Sequence, residues 1–559
     1  MLAPDPLRHT DATLAATKSR RDGLGGSWPS YAIATALGAA AAFIAVPWAT
    51  LIGTGRMFQG AAGDLAVNLL GHLAFQTPGW HWPILRAQEL GWPTGASIAM
   101  TDSNPALSLV AKLIAGVVGH PVNLFGIWLA ACLVLQPVGA VYAMRGLQGE
   151  SVTAAARNQL VASVAASVTA LLLPGFLFRI GSTNLFGHFL LLMALGWAAR
   201  LCVRGQFPTV PRLAGFLTLT AFVHPYLFMF AAVTLAAPAL QALVQRRSGA
   251  REALRGWMLA TLIPIGVFML GSFTLGGGGP GFGLYSTNLL SPVWPQISGI
   301  FGAGLPILDA TGYQREGFNY LGAGVLVLLV CAAWVLARGG GPAWRSVWRH
   351  LAGVVVSLGL LAALAITPHV TIGKMTLLNV DVAVLDRLLA AMRSSGRAVW
   401  VVDYGLLLGA IGVLAARWSP RLFVPVVAGA LVLQWVDAGP LRAQAVAYLA
   451  GGEAAPPVTL PAGTRLFRAV SLCADDAVAA DRYRLAAFRA GIHLAEMRLA
   501  HPPLAAECVA LLAEGLNAPL APGETRLFLT SIAHDLKPDR LGPGVSCAPS
   551  EAGVMCHRP

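Results

Sequence analysis

The chain has 559 residues, of which 56% are hydrophobic and 11% charged, with a mean hydropathy of +0.66. A soluble domain carries roughly 25% charged side chains, so a soluble enzyme, a nucleic-acid binder and a disordered chain are excluded, and a polytopic membrane protein is implied. The net charge of +13 does not point to nucleic acid: residues 438–559 hold eleven basic and eleven acidic side chains, so the excess lies in 1–437, with 27 Lys and Arg against 14 Asp and Glu.

Stretches of about 20 apolar residues can cross about 30 Å of hydrocarbon as helices. Eleven are read: 31–53, 121–144, 156–177, 185–203, 209–223, 226–245, 254–275, 318–337, 350–367, 398–416 and 422–437. The fifth and sixth form one apolar run broken at His224-Pro225, where proline removes a backbone donor. A single kinked helix there would make the count ten. Charge placement supports eleven with residues 1–30 as a cytoplasmic tail: 18 Lys and Arg fall on inner segments against 9 on outer ones, the positive-inside pattern. The first apolar segment is too long for a signal-peptide core and reads as an uncleaved anchor. The expected location is therefore a bacterial inner (plasma) membrane, multi-pass, with residues 438–559 in the periplasm. The expected fold is a mainly α transmembrane bundle, 31–437, with a small C-terminal α/β domain. No internal repeat is evident, which argues against a transporter built from duplicated halves.

The first outer loop, 54–120, carries the richest chemistry. Asp64, Asn68 and His72 fall at i, i+4 and i+8, a narrow polar stripe on a helix expected to lie along the membrane surface. Trp80, His81, Trp82 and Trp92 suit the headgroup layer. Thr101-Asp102-Ser103-Asn104-Pro105 is a polar turn in which Asp102 is a candidate helix cap. Further along, Arg179 precedes Gly181-Ser182-Thr183-Asn184, His188 stands inside an outer mouth, and His224 sits at a hairpin tip. A glycine run at 276–280 lacks the Lys-Ser/Thr ending of a P-loop and reads as a mobile connector or lid. Glu316 opens a helix, where an acid is ordinarily favoured. Lys374, Arg393 and Arg397 lie on the same outer side, and Asp403 falls inside the tenth span.

The tail changes composition after Gly439-Pro440. Apolar runs at 464–470 and 525–530 alternate with helical stretches at 483–499 and 504–515. It holds Cys473, Cys508, Cys547 and Cys556, which in an oxidising compartment suggests two disulfides. Three pairings are open; Cys473–Cys508 with Cys547–Cys556 is preferred. Cys132, Cys202 and Cys331 fall in spans and read as apolar fillers.

These residues carry a resemblance. The long first outer loop with Gly63-Asp64 just beyond the first span is similar to the GT-C superfamily of polytopic membrane glycosyltransferases, and in particular to its bacterial YfhO-like members. So are Leu90-Gly91-Trp92-Pro93-Thr94-Gly95 followed by Asp102-Ser103-Asn104-Pro105, Asn184-Leu185-Phe186-Gly187-His188-Phe189 and His224-Pro225-Tyr226-Leu227. Tyr285-Ser286-Thr287-Asn288-Leu289-Leu290-Ser291-Pro292, Glu316-Gly317-Phe318-Asn319-Tyr320 and Arg393-Ser394-Ser395-Gly396-Arg397 complete the set. The resemblance spans about residues 30–440, through short motifs. It implies transfer of a sugar from a polyprenyl-phosphate donor to a hydroxyl of a glycan, lipid or protein acceptor at the outer face. Asp64 would be the general base, with Asp102 and His72 in supporting catalytic roles. Arg393 and Arg397 would grip phosphate oxygens. Asn68, Arg179, His188, His224, Glu316, Lys374 and Asp403 would line the substrate site. A single acid in place of Asp-x-Asp after the first span departs from the metal-dependent pattern, so no metal ligand and no cofactor is assigned. A transporter or flippase for lipid-linked saccharides and a non-catalytic scaffold are the alternatives. The crowding of candidate groups at one outer face favours surface chemistry over passage. Expected partners are thus the lipid-linked sugar, its acceptor and membrane lipids, without nucleic acid.

Overall fold

Backbone groups in lipid have no water to bond to, so an apolar chain satisfies them within helices. The computed structural model describes residues 28–148, 156–247, 249–272, 282–302, 305–380, 384, 389, 392–452, 458–470, 476–498 and 505–559. It is a mainly helical, multi-span, membrane-like bundle bearing a small C-terminal domain built on a mixed sheet. The bundle comprises α1 (Trp28–Ala45), then α2 (Gly63–Ala74) and α3 (Pro105–Val118) of the first loop, then α4 (Phe125–Leu147), α5 (Ala156–Leu171) and α6 (Phe189–Arg204). It continues with α7 (Val210–Val223), α8 (Pro225–Val244), α9 (Ala250–Ser272), α10 (Ala323–Ile366), α11 (Val399–Arg417) and α12 (Pro420–Asp437). Among the described residues, six helical segments are by themselves long and apolar enough to cross a membrane: Trp28–Ala45, Phe125–Leu147, Pro225–Val244, Arg349–Ile366, Ser395–Arg417 and Pro420–Asp437. Five of the eleven expected spans, 156–177, 185–203, 209–223, 254–275 and 318–337, fall on helical segments that do not meet that standard.

The break read at His224-Pro225 is present. His224 is extended (φ −165, ψ 132) between α7 and α8, and Pro225 opens α8 where its missing donor costs nothing. The expected pair 318–337 and 350–367 emerges differently, as 44 residues assigned to one helix. A straight helix of that length would be about 66 Å long. Yet the Thr287 N–H donates to the Ala365 carbonyl at 2.8 Å and the Leu321 N–H to the Pro292 carbonyl at 3.0 Å. Five residues of chain, 287 to 292, reach at most about 18 Å, so α10 doubles back. Its apolar legs are Ala323–Gly339 and Arg349–Ile366, and Gln245 at the far end of α8 bonds the Arg349 carbonyl at 3.1 Å.

Both ends of α10 thus lie at the same end of the bundle as the 286–321 segment. The hairpin of β3 (His369–Ile372) and β4 (Met375–Asn379) follows there, as does the first loop with its small ribbon of β1 (Arg86–Ala87) and β2 (Ala96–Ser97). The tail also sits there: α13 (Gly439–Ala450), then β5 (Leu466–Val470), α14 (Asp481–Arg489), β6 (His493–Leu494), α15 (Ala505–Asn517), β7 (Glu524–Leu529), β8 (Ser546–Ser550) and β9 (Gly553–His557). The sheet order is β6-β5-β7-β9-β8, parallel among the first three strands and antiparallel thereafter.

Two local expectations are corrected. The helix expected over 483–499 stops at Arg489, because Gly491 turns left-handed (φ 73) and His493–Leu494 pairs with β5. The helix expected to lie along the membrane surface, α2, is instead internal. Leu65, Ala66, Val67, Leu69 and Leu70 are all buried, because α14 of the tail packs over it. Cys547 and Cys556 face each other across β8 and β9 and form a disulfide; Cys473, and with it the expected pairing to Cys508, and the glycine run at 276–280 lie outside the described residues. Cys132 and Cys202 are buried free thiols and Cys331 a half-buried one.

Candidate functional site

At the loop-bearing end, segments far apart in sequence meet through backbone contacts that leave no room for side chains. The Gly396 N–H donates to the Tyr285 carbonyl at 3.0 Å, and a Cβ on Gly396 would clash with that oxygen. The Thr287 hydroxyl donates to the Gly396 carbonyl at 3.1 Å. The 285–287 and 396 segments, together with neighbouring Gly317, are therefore one assembly, and each brings charged side chains to it.

Glu316 stands at its centre. Its Oε2 accepts from Arg179 Nη1 at 2.8 Å, Arg397 Nη2 at 2.8 Å and Arg397 Nε at 3.0 Å. Burial opposes the Glu316 charge, but Arg397 and Arg179 outweigh it and hold the carboxyl down to about 2. Arg179 is buried in the loop after α5. It also donates to the Glu316 carbonyl at 2.6 Å and stacks over Phe178 and Trp400. Burial lowers its own pKa to about 10, with Glu316 opposing. Arg315 lies over Phe178 as well, and Arg393 over Tyr285 at 5.5 Å.

A second acid joins this group. Asp102 adopts the left-handed conformation (φ 52) that Asp tolerates better than most residues, and its carbonyl accepts from Asn184 Nδ2. Its half-exposed carboxylate lies 3.5 Å from His224 Nε2. His224 caps α8: its Nδ1 accepts the Tyr226 N–H at 3.0 Å. That bond assigns the ring proton of the neutral imidazole to Nε2, on the side of Asp102. Burial lowers the His224 pKa, and Asp102 resists the shift. Tyr226 ties the halves together. Its ring stacks on His224 at 5.3 Å and lies 5.1 Å under Arg397, and its hydroxyl accepts the Ser394 N–H at 3.0 Å. Among the described residues, the guanidiniums of Arg179, Arg315, Arg393 and Arg397 gather here with the carboxylates of Glu316 and Asp102, a concentration of guanidiniums of the kind that can meet a phosphate anion.

The chain belongs to the DUF6311 family, a domain of unknown function. The family model matches residues 35–439, ending where the bundle gives way to the tail. No curated protein matches the chain.

The polar stripe of α2 is split among different partners. Asp64 is 77% exposed on its side chain and pairs with Arg498 of the tail at 2.9 Å. Arg498 in turn holds the buried Asp481 at 2.8 Å. Asn68 accepts from the Thr183 hydroxyl at 2.9 Å and donates to the Thr101 carbonyl at 3.2 Å, bracing the loops that carry Asn184 and Asp102. His72 is buried, with Nδ1 2.9 Å from the Ser108 hydroxyl and Nε2 3.2 Å from the Val122 carbonyl. Burial lowers its pKa to about 4, with the Val122 bond opposing, so the ring is neutral near pH 7. The cap of α3 is Asn104, which accepts the Leu107 N–H at 3.1 Å, rather than Asp102.

Among the described residues, the remaining candidates are not bonded to Glu316 or Asp102, though the His188 ring lies 4.4 Å from the Trp400 ring that Arg179 also covers. His188 is buried at the start of α6, 2.9 Å from the Tyr404 hydroxyl, which accepts from Gln136 at 2.7 Å. Asp403 is buried within α11. Lys374 is exposed at the turn of the β3–β4 hairpin. Among the described residues no group of three or more His, Cys, Asp or Glu could hold a metal ion. Sequence reasoning missed Tyr226, Arg315 and Arg498. Tyr226 carried a local signal, its place two residues after a capping His. Arg498 carried none, because its partners lie 434 and 17 residues away.

Proposed function

We propose that this protein is a membrane glycosyltransferase that moves a sugar from a polyprenyl-phosphate donor to an acceptor hydroxyl at the outer face of a bacterial inner membrane, with the tail domain in the periplasm. The observation that supports this best is the cationic cluster around Glu316 with the Asp102–His224 pair beside it. Arg397, Arg393 and Arg179 bind the phosphate oxygens and stabilise the charge that grows on them as the donor bond breaks. Asp102 takes the acceptor proton, and His224 Nε2–H steadies its carboxylate. The acceptor oxygen forms a bond to the sugar C1, the bond from C1 to the phosphate oxygen breaks, and the polyprenyl phosphate leaves with the electron pair. Asp64, exposed and paired with Arg498, is the weaker choice of base and serves to hold the tail against α2.

The test is transfer from radiolabelled farnesyl-phosphate sugars by purified protein in nanodiscs. Asp102→Asn is expected to lose about 100-fold or more in rate, Arg397→Lys to lose comparably, and Asp64→Asn to lose little. Full transfer by Asp102→Asn removes the mechanism.

A flippase for lipid-linked saccharides is the second reading. It is favoured by the buried polar chain Gln136–Tyr404–His188 and by Asp403 inside the bundle. Movement of a fluorescent polyprenyl-phosphate sugar across proteoliposomes, without transfer, would select it.

A further inference from the structure

The β3–β4 hairpin has an unusual surface. All five residues of β4 are exposed, and three of them are large and apolar: Met375 at 67%, Leu377 at 55% and Leu378 at 49%. Val380 continues the patch beyond the strand. Alternate residues of a strand point to opposite faces, so both faces of β4 are bare and apolar. The register shifts between Val370 and Thr371, where Thr371 pairs with Thr376 and Val370 with Leu378, so Leu377 is the extra residue of a bulge that re-aims its side chain. Among the described residues β4 pairs with β3 alone, so its other edge is also open. In water, a bare apolar edge strand would be an aggregation site.

The other strand is fixed. The turn at Gly373 is clamped by Asn288, whose Nδ2 donates to the Gly373 carbonyl at 2.7 Å and whose Oδ1 accepts the Gly373 N–H at 2.9 Å. Gln314 Nε2 donates to the Thr371 hydroxyl at 2.7 Å, two residues from Glu316. The hairpin is therefore a rigid paddle bolted beside the charged cluster, not a loose loop.

We infer that β4 is an interfacial membrane anchor, seated at the boundary between the headgroups and acyl chains of the bilayer. Three observations select the bilayer as its occupant. The hairpin starts three residues after the Arg349–Ile366 leg, whose Val356 and Leu360 are exposed in the same way, so the patch continues the lipid-facing surface of the bundle. Leu289, also exposed, donates its N–H to Thr371 at 3.0 Å and widens the patch. Lys374 stands exposed at the turn, where an anionic headgroup phosphate would meet it. The open backbone edge sets the depth. Unpaired N–H and C=O groups are too costly in hydrocarbon but are satisfied by water and headgroup oxygens. This anchoring does not depend on the proposed sugar transfer. It fixes the height of the Glu316 cluster relative to lipid phosphates whatever chemistry occurs there.

The test uses full-length protein in nanodiscs carrying Leu377→Cys labelled with an environment-sensitive nitrobenzoxadiazole dye. Met375→Cys serves as a second position, Lys537→Cys on the tail as the exposed control, and labelled wild type as the blank for Cys331. At both hairpin positions the emission should shift to the blue, and lipids brominated near the glycerol end of the chain should quench it about two-fold or more. Bromines at chain ends should quench less, and the Lys537 label should respond to neither. Emission at both hairpin positions matching the Lys537 label overturns the inference. So does a blue-shifted label that no brominated lipid quenches, since that would mean a protein surface or a second copy covers the strand. Stronger quenching from chain-end bromines also overturns it, because the strand would then lie deeper than its backbone permits.

Discussion

Replacing Glu316 by Gln keeps the shape of the side chain and removes the carboxylate that, among the described residues, is bonded to both Arg179 and Arg397. The cost can be worked in two ways. The carboxyl is held from 4.5 down to about 2 in the fold, and at about 1.4 kcal/mol per unit that is a contribution of about 3 kcal/mol at neutral pH. Independently, removing one partner of a buried pair typically costs about 3–5 kcal/mol, because the other charge stays buried. The Glu316 side chain is 27% exposed, so the lower figure is the better guide. The sign follows from the direction of the shift. A carboxylate whose folded pKa is depressed contributes fully above its unfolded value of 4.5, and the contribution is lost as pH falls through about 2. The assay is unfolding of wild type and Glu316→Gln in detergent at a series of pH values. The variant should melt well below wild type at pH 7, and the gap should close between pH 4.5 and 2. A gap under about 1 kcal/mol at neutral pH, or one that does not change with pH, would refute the claim that this pair organises the cluster.

Other outcomes follow from the same geometry. Wild-type stability should already decline as pH drops from 6.5 toward 4: His72 is held neutral to about 4, and the unfolded chain takes up its proton first. In His72→Asn that part of the decline should disappear. Gly396→Ala places a Cβ against the Tyr285 carbonyl and should cost about 1–3 kcal/mol in a melting assay. Tyr226→Phe strips the Ser394 N–H of its acceptor, with an expected loss of about 1–3 kcal/mol and a larger fall in transfer than in stability. Asp64→Asn should change melting by less than about 1 kcal/mol, since its Arg498 contact is exposed. It should nonetheless speed limited proteolysis of the tail; an unchanged cleavage rate would count against the tethering role.

The amino-acid sequence by itself determined the class of this protein. A chain with 11% charged residues and recurrent apolar runs of about 20 residues satisfies its backbone in lipid as helices, since a barrel strand would need only about 10. The composition change after Gly439-Pro440 marked a tail of different character. The break at His224-Pro225 was legible because proline acts locally, and the Cys547–Cys556 bridge because its two cysteines are nine residues apart in sequence. Several site residues, among them Arg179, Glu316 and Arg397, were named as candidates from their place on one side of the bundle.

What the tertiary structure alone decided is which of these residues meet. Arg179 reaches Glu316 across 137 residues and Arg397 reaches it across 81, and no periodicity records a separation of that kind. The stripe of Asp64, Asn68 and His72 shows the limit most plainly. Helical spacing put the three on one face, but the face is shared by the tail, a loop and the bundle. One residue is therefore exposed and ion-paired, one braces loops, and one is buried and neutral. Periodicity fixes where a side chain leaves its helix; the elements that pack there fix its dielectric, its partner and its charge.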